Sequence, residues 1–111
     1  MNITIPQLQA YLAQHYQGDQ DEQGFFMKLV EEVGEVAEIL NQRAGRKVQD
    51  KADLDLELVT ELADIVHYTV AIATVNGLDL NRIILEKDKR AAVKYQHEMD
   101  LETFLKAQRK S

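Results

Sequence analysis

The sequence predicts an all-α protein, a bundle of four to five helices. Two observations carry this. One proline and five glycines in 111 residues leave few helix breakers. Val, Ile and Leu are plentiful, yet they recur at helical spacing and do not alternate with polar residues over useful stretches. Connections are short except near residues 44–53, which suits a bundle. No repeat, low-complexity tract or linker divides the chain, so residues 1–111 read as a single domain.

The first helix begins at Thr4, where Thr4 and Gln7 form a capping box and Pro6 sits in the first turn. Leu8, Tyr11, Leu12 and His15 or Tyr16 share one side, and Gly18 and Asp19 end it. The second helix runs from about Gln23 to Arg43. Phe26, Leu29, Val30, Val33, Val36, Ala37 and Leu40 give it an apolar stripe, which places Phe26 in the core. Gly34 weakens this helix by ~1 kcal/mol relative to alanine. The third runs from about Asp55 to Asn76, where Asn76-Gly77 is a usual stop. The fourth is capped by Asp79 and continues to about His97. Asp100 caps a short last helix with Leu101, Phe104 and Leu105 on one face.

Composition excludes several classes of protein. Thirteen basic residues against 19 acidic ones give a net charge of -6, which disfavours sequence-independent binding to duplex nucleic acid. The absence of cysteine rules out a disulfide framework, a thiolate zinc site and a cysteine nucleophile. No unbroken run of about 18 apolar residues suggests a membrane span. The segment MNITIPQLQAYL lacks the basic-then-apolar order of a secretory signal, so a cytoplasmic location is the default expectation.

Acidic residues concentrate on two helices. The second carries Glu31, Glu32, Glu35 and Glu38, and the third carries Glu57, Glu61 and Asp64. At roughly 100° per residue, Val59, Leu62, Ala63, Val66, Val70 and Ala73 form an apolar stripe on the third helix. Leu58, Ile65, Thr69 and Ile72 widen it past half the circumference. Glu57, Glu61, Asp64 and Tyr68 then fall in one narrow strip. A helix this apolar is buried on most sides, and its breadth favours a dimer with the helix near the interface. Buried carboxylates need a compensating cation. Glu32 and Glu35 are neighbours at i, i+3, with Lys28 one turn before Glu32. Two helices each offering such a pair can enclose hard divalent cations such as Mg²⁺. Geometry alone does not separate Glu57 from its strip, and Glu31 and Glu38 fit a solvated surface.

Lys28-Leu-Val-Glu-Glu-Val-Gly-Glu35, followed after 25 residues by Glu61-Leu-Ala-Asp64, resembles the E-E-x-x-E … E-x-x-D signature of MazG-like nucleotide pyrophosphohydrolases. The resemblance covers Thr4 to about Tyr95. It implies an all-α enzyme that hydrolyses (deoxy)nucleoside triphosphates to the monophosphate and pyrophosphate with Mg²⁺, for which Mn²⁺ can substitute. It also implies a homodimer, or a tetramer of dimers. Carried over by motif, Glu32, Glu35, Glu61 and Asp64 match the metal ligands. Glu31 matches the first acid of the signature, and Glu31 and Glu35 are the candidates for the general base. Lys87, Arg90 and Lys94 are the available phosphate-binding residues on a later helix. Ala91 stands where family members often have asparagine, a departure in the phosphate site. Lys28 also faces the acidic side, and Tyr68, one turn beyond the strip, is a candidate substrate contact.

Two other chemistries were weighed against this one. Asp64-x-x-His67 is half of a di-iron helix motif, but no second such step exists, so His67 reads as a hydrogen-bonding helix residue. A non-catalytic helical interaction module, with an acidic strip that binds metal or a basic partner, is the alternative from another class. Arg43, Arg46, Lys47 and Lys51 read as a solvated turn.

Overall fold

The computed structural model describes residues 1–110. It contains five helices and no strand among those residues: α1 Ile5–His15, α2 Glu22–Arg43, α3 Leu54–Val75, α4 Leu80–Lys94 and α5 Leu101–Lys110. The chain forms two compact units. One, Met1–Leu78, holds α1, α2 and α3, and the other, from Asp79 onward, holds α4 and α5.

The expected caps start the helices. Thr4 and Gln7 exchange hydrogen bonds across the first turn of α1. Asp79 and Asp100 accept from the backbone N–H groups of Arg82 and Thr103, and Asp53, a cap not expected from the sequence, accepts from that of Leu56. Asp21 caps α2 through Gly24 N–H, so the helix begins at Glu22, one residue before the expected Gln23. α4 stops at Lys94, short of the expected His97. Gln96 adopts φ 56°, and the N–H groups of Gln96 and His97 fold back onto Val93 and Ala92. This is a Schellman stop built without glycine, which is why no punctuation marked it.

α2 and α3 lie antiparallel. Asn76, after the end of α3, donates to Glu22 at the start of α2, and Arg43 at the far end of α2 pairs with Asp55 near the start of α3. Their shared seam follows the alternating four- and three-residue spacing of a coiled coil. On α2 it comprises Phe25, Leu29, Glu32, Val36 and Ile39. On α3 it comprises Leu54, Leu58, Glu61, Ile65, Tyr68 and Ile72. All of these are buried or half-buried. Buried Gln42 accepts the N–H of Asp50 and fastens the connecting loop.

The packed face of α2 is not the stripe read from the sequence. Phe25 is 7% exposed and Phe26 is 54% exposed, so Phe25 is the core residue. Val30, Val33 and Leu40 face outward with Phe26. The same holds on α3, where Val59, Leu62 and Val66 of the apolar stripe are exposed and only Val70 and Ala73 are buried. Length explains the split. α1 is 11 residues and α3 is 22, about 16 Å against about 33 Å. α1 therefore covers only the C-terminal half of α3. Gln9 of α1 donates to Thr74 Oγ1 and to the Leu78 carbonyl, and Tyr16 meets His67.

α3 also has the length and mean hydropathy of a membrane-crossing helix. Glu61 and Asp64 interrupt its apolar stretch, so the sequence shows no unbroken run there. In the second unit, the Leu101 N–H donates to Asp88 at 2.6 Å, and Lys89 pairs with Glu102 at 2.8 Å.

Candidate metal centre

The α2–α3 seam places two carboxylates where a bundle ordinarily has apolar side chains. Glu32 lies midway along α2, and Glu61 faces it from α3, both at seam positions. Asp64 follows Glu61 by three residues and points to the same side. One oxygen from each of Glu32, Glu61 and Asp64 lies within 4.8 Å of the others. All three are half-buried.

Three acids this close ionise together only at a cost unless a cation lies among them. Glu61 shows the conflict most sharply. A hydrogen bond shared with Glu32, burial, and the charges of Glu32, Asp64 and Glu35 push its carboxyl up to about 7. Its Oε2 is buried and has no hydrogen-bond partner. An acceptor atom left bare in a cluster made only of carboxylate oxygens fits a hard divalent cation, which would satisfy the oxygen and remove the repulsion.

The remaining acids divide. Glu35 is exposed and lies outside the group of three, but its charge reaches Glu61. Glu31 is exposed and pairs with Lys28 at 3.4 Å, so these two candidates hold each other at the surface. Glu38 binds Lys47 at 3.0 Å, which ties the loop down. Glu57 is half-buried one turn before Glu61 and is not part of the cluster. A cleft of about 310 Å³ beside the loop, formed by Gln42, Arg43, Gln49 and Asp53 to Asp55 with Ala52, is lined by none of the three carboxylates.

Aromatic side chains close one end of the seam. Tyr68 sits two turns beyond Glu61, and Phe25 two turns before Glu32, with ring centroids 6.5 Å apart. His67 Nε2 lies 2.7 Å from the Tyr16 hydroxyl, which gives His67 the hydrogen-bonding role expected of it. The sequence offered no sign of Tyr16 as its partner, since 51 residues separate them. Lys87, Arg90 and Lys94 are exposed on one stripe of α4, and the Lys94 ammonium lies 5.3 Å from the centre of the Tyr95 ring.

A helical hairpin with inward carboxylates at its middle defines a class of all-α protein suited to holding divalent cations. Residues 20–95 match the model of the MazG nucleotide pyrophosphohydrolase domain, and the chain belongs to that family. It is similar to iMazG from Vibrio DAT 722, a crystal structure with which it shares 29% identity at a TM-score of 0.63. That match covers 84% of this chain and 98% of the other. Comparison with curated proteins gave no significant match.

Proposed function

We propose that this chain hydrolyses (deoxy)nucleoside triphosphates to the monophosphate and pyrophosphate in a Mg²⁺-dependent reaction, with Mn²⁺ as a substitute. The observation that carries this is the convergence of Glu32, Glu61 and Asp64 around the partnerless Glu61 Oε2. Family membership supports the reaction class.

Glu32, Glu61 and Asp64 would hold the cation, and Glu35 would complete the set. A bound divalent ion supplies Lewis acidity toward the phosphoanhydride and an acidified water. The chain's own residues do the rest. The seam fixes Glu32 and Glu61 on two long helices, so their spacing costs nothing at the moment of reaction. Glu35, exposed beside the cluster and free of the lysine pairing that engages Glu31, is the better placed general base. Eight of the 13 basic residues lie from Asp79 onward. Lys87, Arg90 and Lys94 supply positive charge for the phosphates, and Tyr68 contacts the nucleoside side of the substrate. The family match, residues 20–95, includes residues of both units, which supports reading the chain as one functional domain. A cytoplasmic location is part of the same proposal.

The active form is a homo-oligomer, a dimer or a tetramer of dimers. The bare half of α3, with Leu56, Val59, Leu62 and Val66, and the outward stripe of α2, with Phe26, Val30, Val33 and Leu40, support this. Contiguous apolar surface of this kind marks an interaction site. Gly34 stands open among these residues, with nothing within 4 Å of where a Cβ would be, which suits close approach by a second backbone.

The test is pyrophosphate release from a panel of nucleotides, with Mg²⁺, with Mn²⁺ and with chelator, for wild type and Glu61→Gln. Metal-dependent release that falls at least a hundredfold in the variant, on the order expected for loss of a group that acts in the transition state, is the expected result. A folded wild type that releases no pyrophosphate from any nucleotide would overturn the proposal and favour the interaction module.

A further inference from the structure

α1 contributes no carboxylate to the acidic cluster, and its residues precede the stretch that matches the family model. Its last turn nevertheless reaches the helices that do contribute. Tyr16 packs its ring on Phe25 of α2 at 4.6 Å and bonds through its hydroxyl to His67 of α3. His67 stands edge-on to Tyr68 at 5.0 Å, and Tyr68 faces Phe25. These contacts close a ring of four side chains drawn from three helices. Phe25 is seven residues from Glu32, and Tyr68 is seven residues from Glu61. The layer therefore crosses the seam about 10 Å from both carboxylates. His67 lies one turn beyond Asp64.

A register slip or rotation of α3 against α2 is resisted most strongly by contacts that span both helices near the point in question. Ile and Leu contacts in the seam tolerate small slides, because dispersion has little directionality. A hydrogen bond at 2.7 Å does not; this one ties α3 to Tyr16 at the end of α1, and the Tyr16 ring in turn bears on Phe25 of α2, so α1 bridges the two helices. The Tyr16 hydroxyl remains protonated, since burial and the neighbouring Tyr68, Asp19 and Tyr11 raise its pKa. The hydroxyl and His67 Nε2 share this bond, with donor and acceptor set by the imidazole tautomer.

We infer that Tyr16 and His67 are positioning residues, a directional brace that sets the register of α3 against α2 and thereby the spacing of Glu61 and Asp64 from Glu32. This rests on the proposed metal site, although not on the proposed reaction. Gln9 supplies an internal control. It also bonds α1 to α3, at Thr74 and Leu78, but ten or more residues beyond Asp64.

The experiment measures Mn²⁺ affinity of the full chain by calorimetry, with the metal alone as probe. Wild type is compared with Tyr16→Phe, His67→Phe, the double variant and Gln9→Ala. Each brace variant weakens Mn²⁺ binding about fivefold, near the net worth of one hydrogen bond. The double variant is no weaker than either single one, because both remove the same bond. Gln9→Ala lowers the melting temperature but leaves Mn²⁺ affinity within twofold. Unchanged Mn²⁺ affinity in folded Tyr16→Phe, or equal weakening by Gln9→Ala, would overturn the inference. If His67→Phe does not fold, His67→Leu replaces it, since neither leaves a partner for the Tyr16 hydroxyl. Wild type that binds Mn²⁺ but releases no pyrophosphate would sink the reaction and leave the brace standing. Wild type that binds no Mn²⁺ would sink both.

Discussion

Replacing Glu61 with glutamine stabilises the metal-free protein at alkaline pH. Glu61 ionises near 7 in the fold, against 4.5 ordinarily. Below about pH 4.5 its carboxyl is neutral in folded and unfolded chains alike, and no penalty exists. Between 4.5 and 7 the unfolded chain gives up this proton first, so stability falls as pH rises. Above 7 the penalty is complete. At ~1.4 kcal/mol per unit the shift corresponds to about 3 kcal/mol. Glu61 keeps partial access to solvent, and rotation lets the carboxylates part, so ~1–2 kcal/mol is the expected net effect. Glutamine is the neutral isostere and keeps a donor for Glu32. Its melting temperature in chelator at pH 8 therefore exceeds that of wild type by roughly 4 to 8 °C, and the difference vanishes near pH 4.5. Calorimetric melts at a fixed protein concentration measure it, since an assembling chain melts at a concentration-dependent temperature. Excess Mn²⁺ reverses the order by stabilising wild type alone. Equal or lower melting of Glu61→Gln in chelator at pH 8 would refute the claim that repulsion strains this seam.

Two further outcomes follow from the fold. A methyl group at Gly24 runs into the Asp21 carboxylate that caps α2, so the lost cap, about 1 kcal/mol, offsets what alanine gains over glycine in a helix: Gly24→Ala alone leaves the thermal melt nearly unchanged, whereas in an Asp21→Ala background it raises the melting temperature. Leu62→Glu puts a charge on the bare half of α3 and yields a smaller species by light scattering at micromolar concentration, whereas Gln14→Glu, an exposed change on α1, does not.

Helix number, order and most caps were legible because capping chemistry is local. Thr4 with Gln7, Asp79 and Asp100 each announce a helix start within four residues. The α4 stop was not legible, because Gln96 takes a conformation that glycine usually marks. The acidic strip was legible too, since Glu57, Glu61, Asp64 and Tyr68 share one side of any helix. Which side faces inward was not. The seam contains Glu32 and Glu61, so apolar periodicity pointed to Phe26 and Val59, side chains that the protomer leaves in water. Hydrophobic pattern alone does not report the contacts within one chain, and the exposed stripe it picked out is the surface on which the proposed dimer rests. The Tyr16–His67 bond depends on how α1 docks, which no local signal fixes.

The three clustered carboxylates all lie on consecutive helices, joined by residues 44–53. A hairpin of low contact order closes early in folding, because its loop entropy is small. The cluster is thus assembled by one of the first tertiary events the chain undergoes, and that event brings like charges together. A proton or a cation taken up as the hairpin shuts relieves that repulsion, so the refolding of this chain responds to the pH and to the divalent ions in its surroundings.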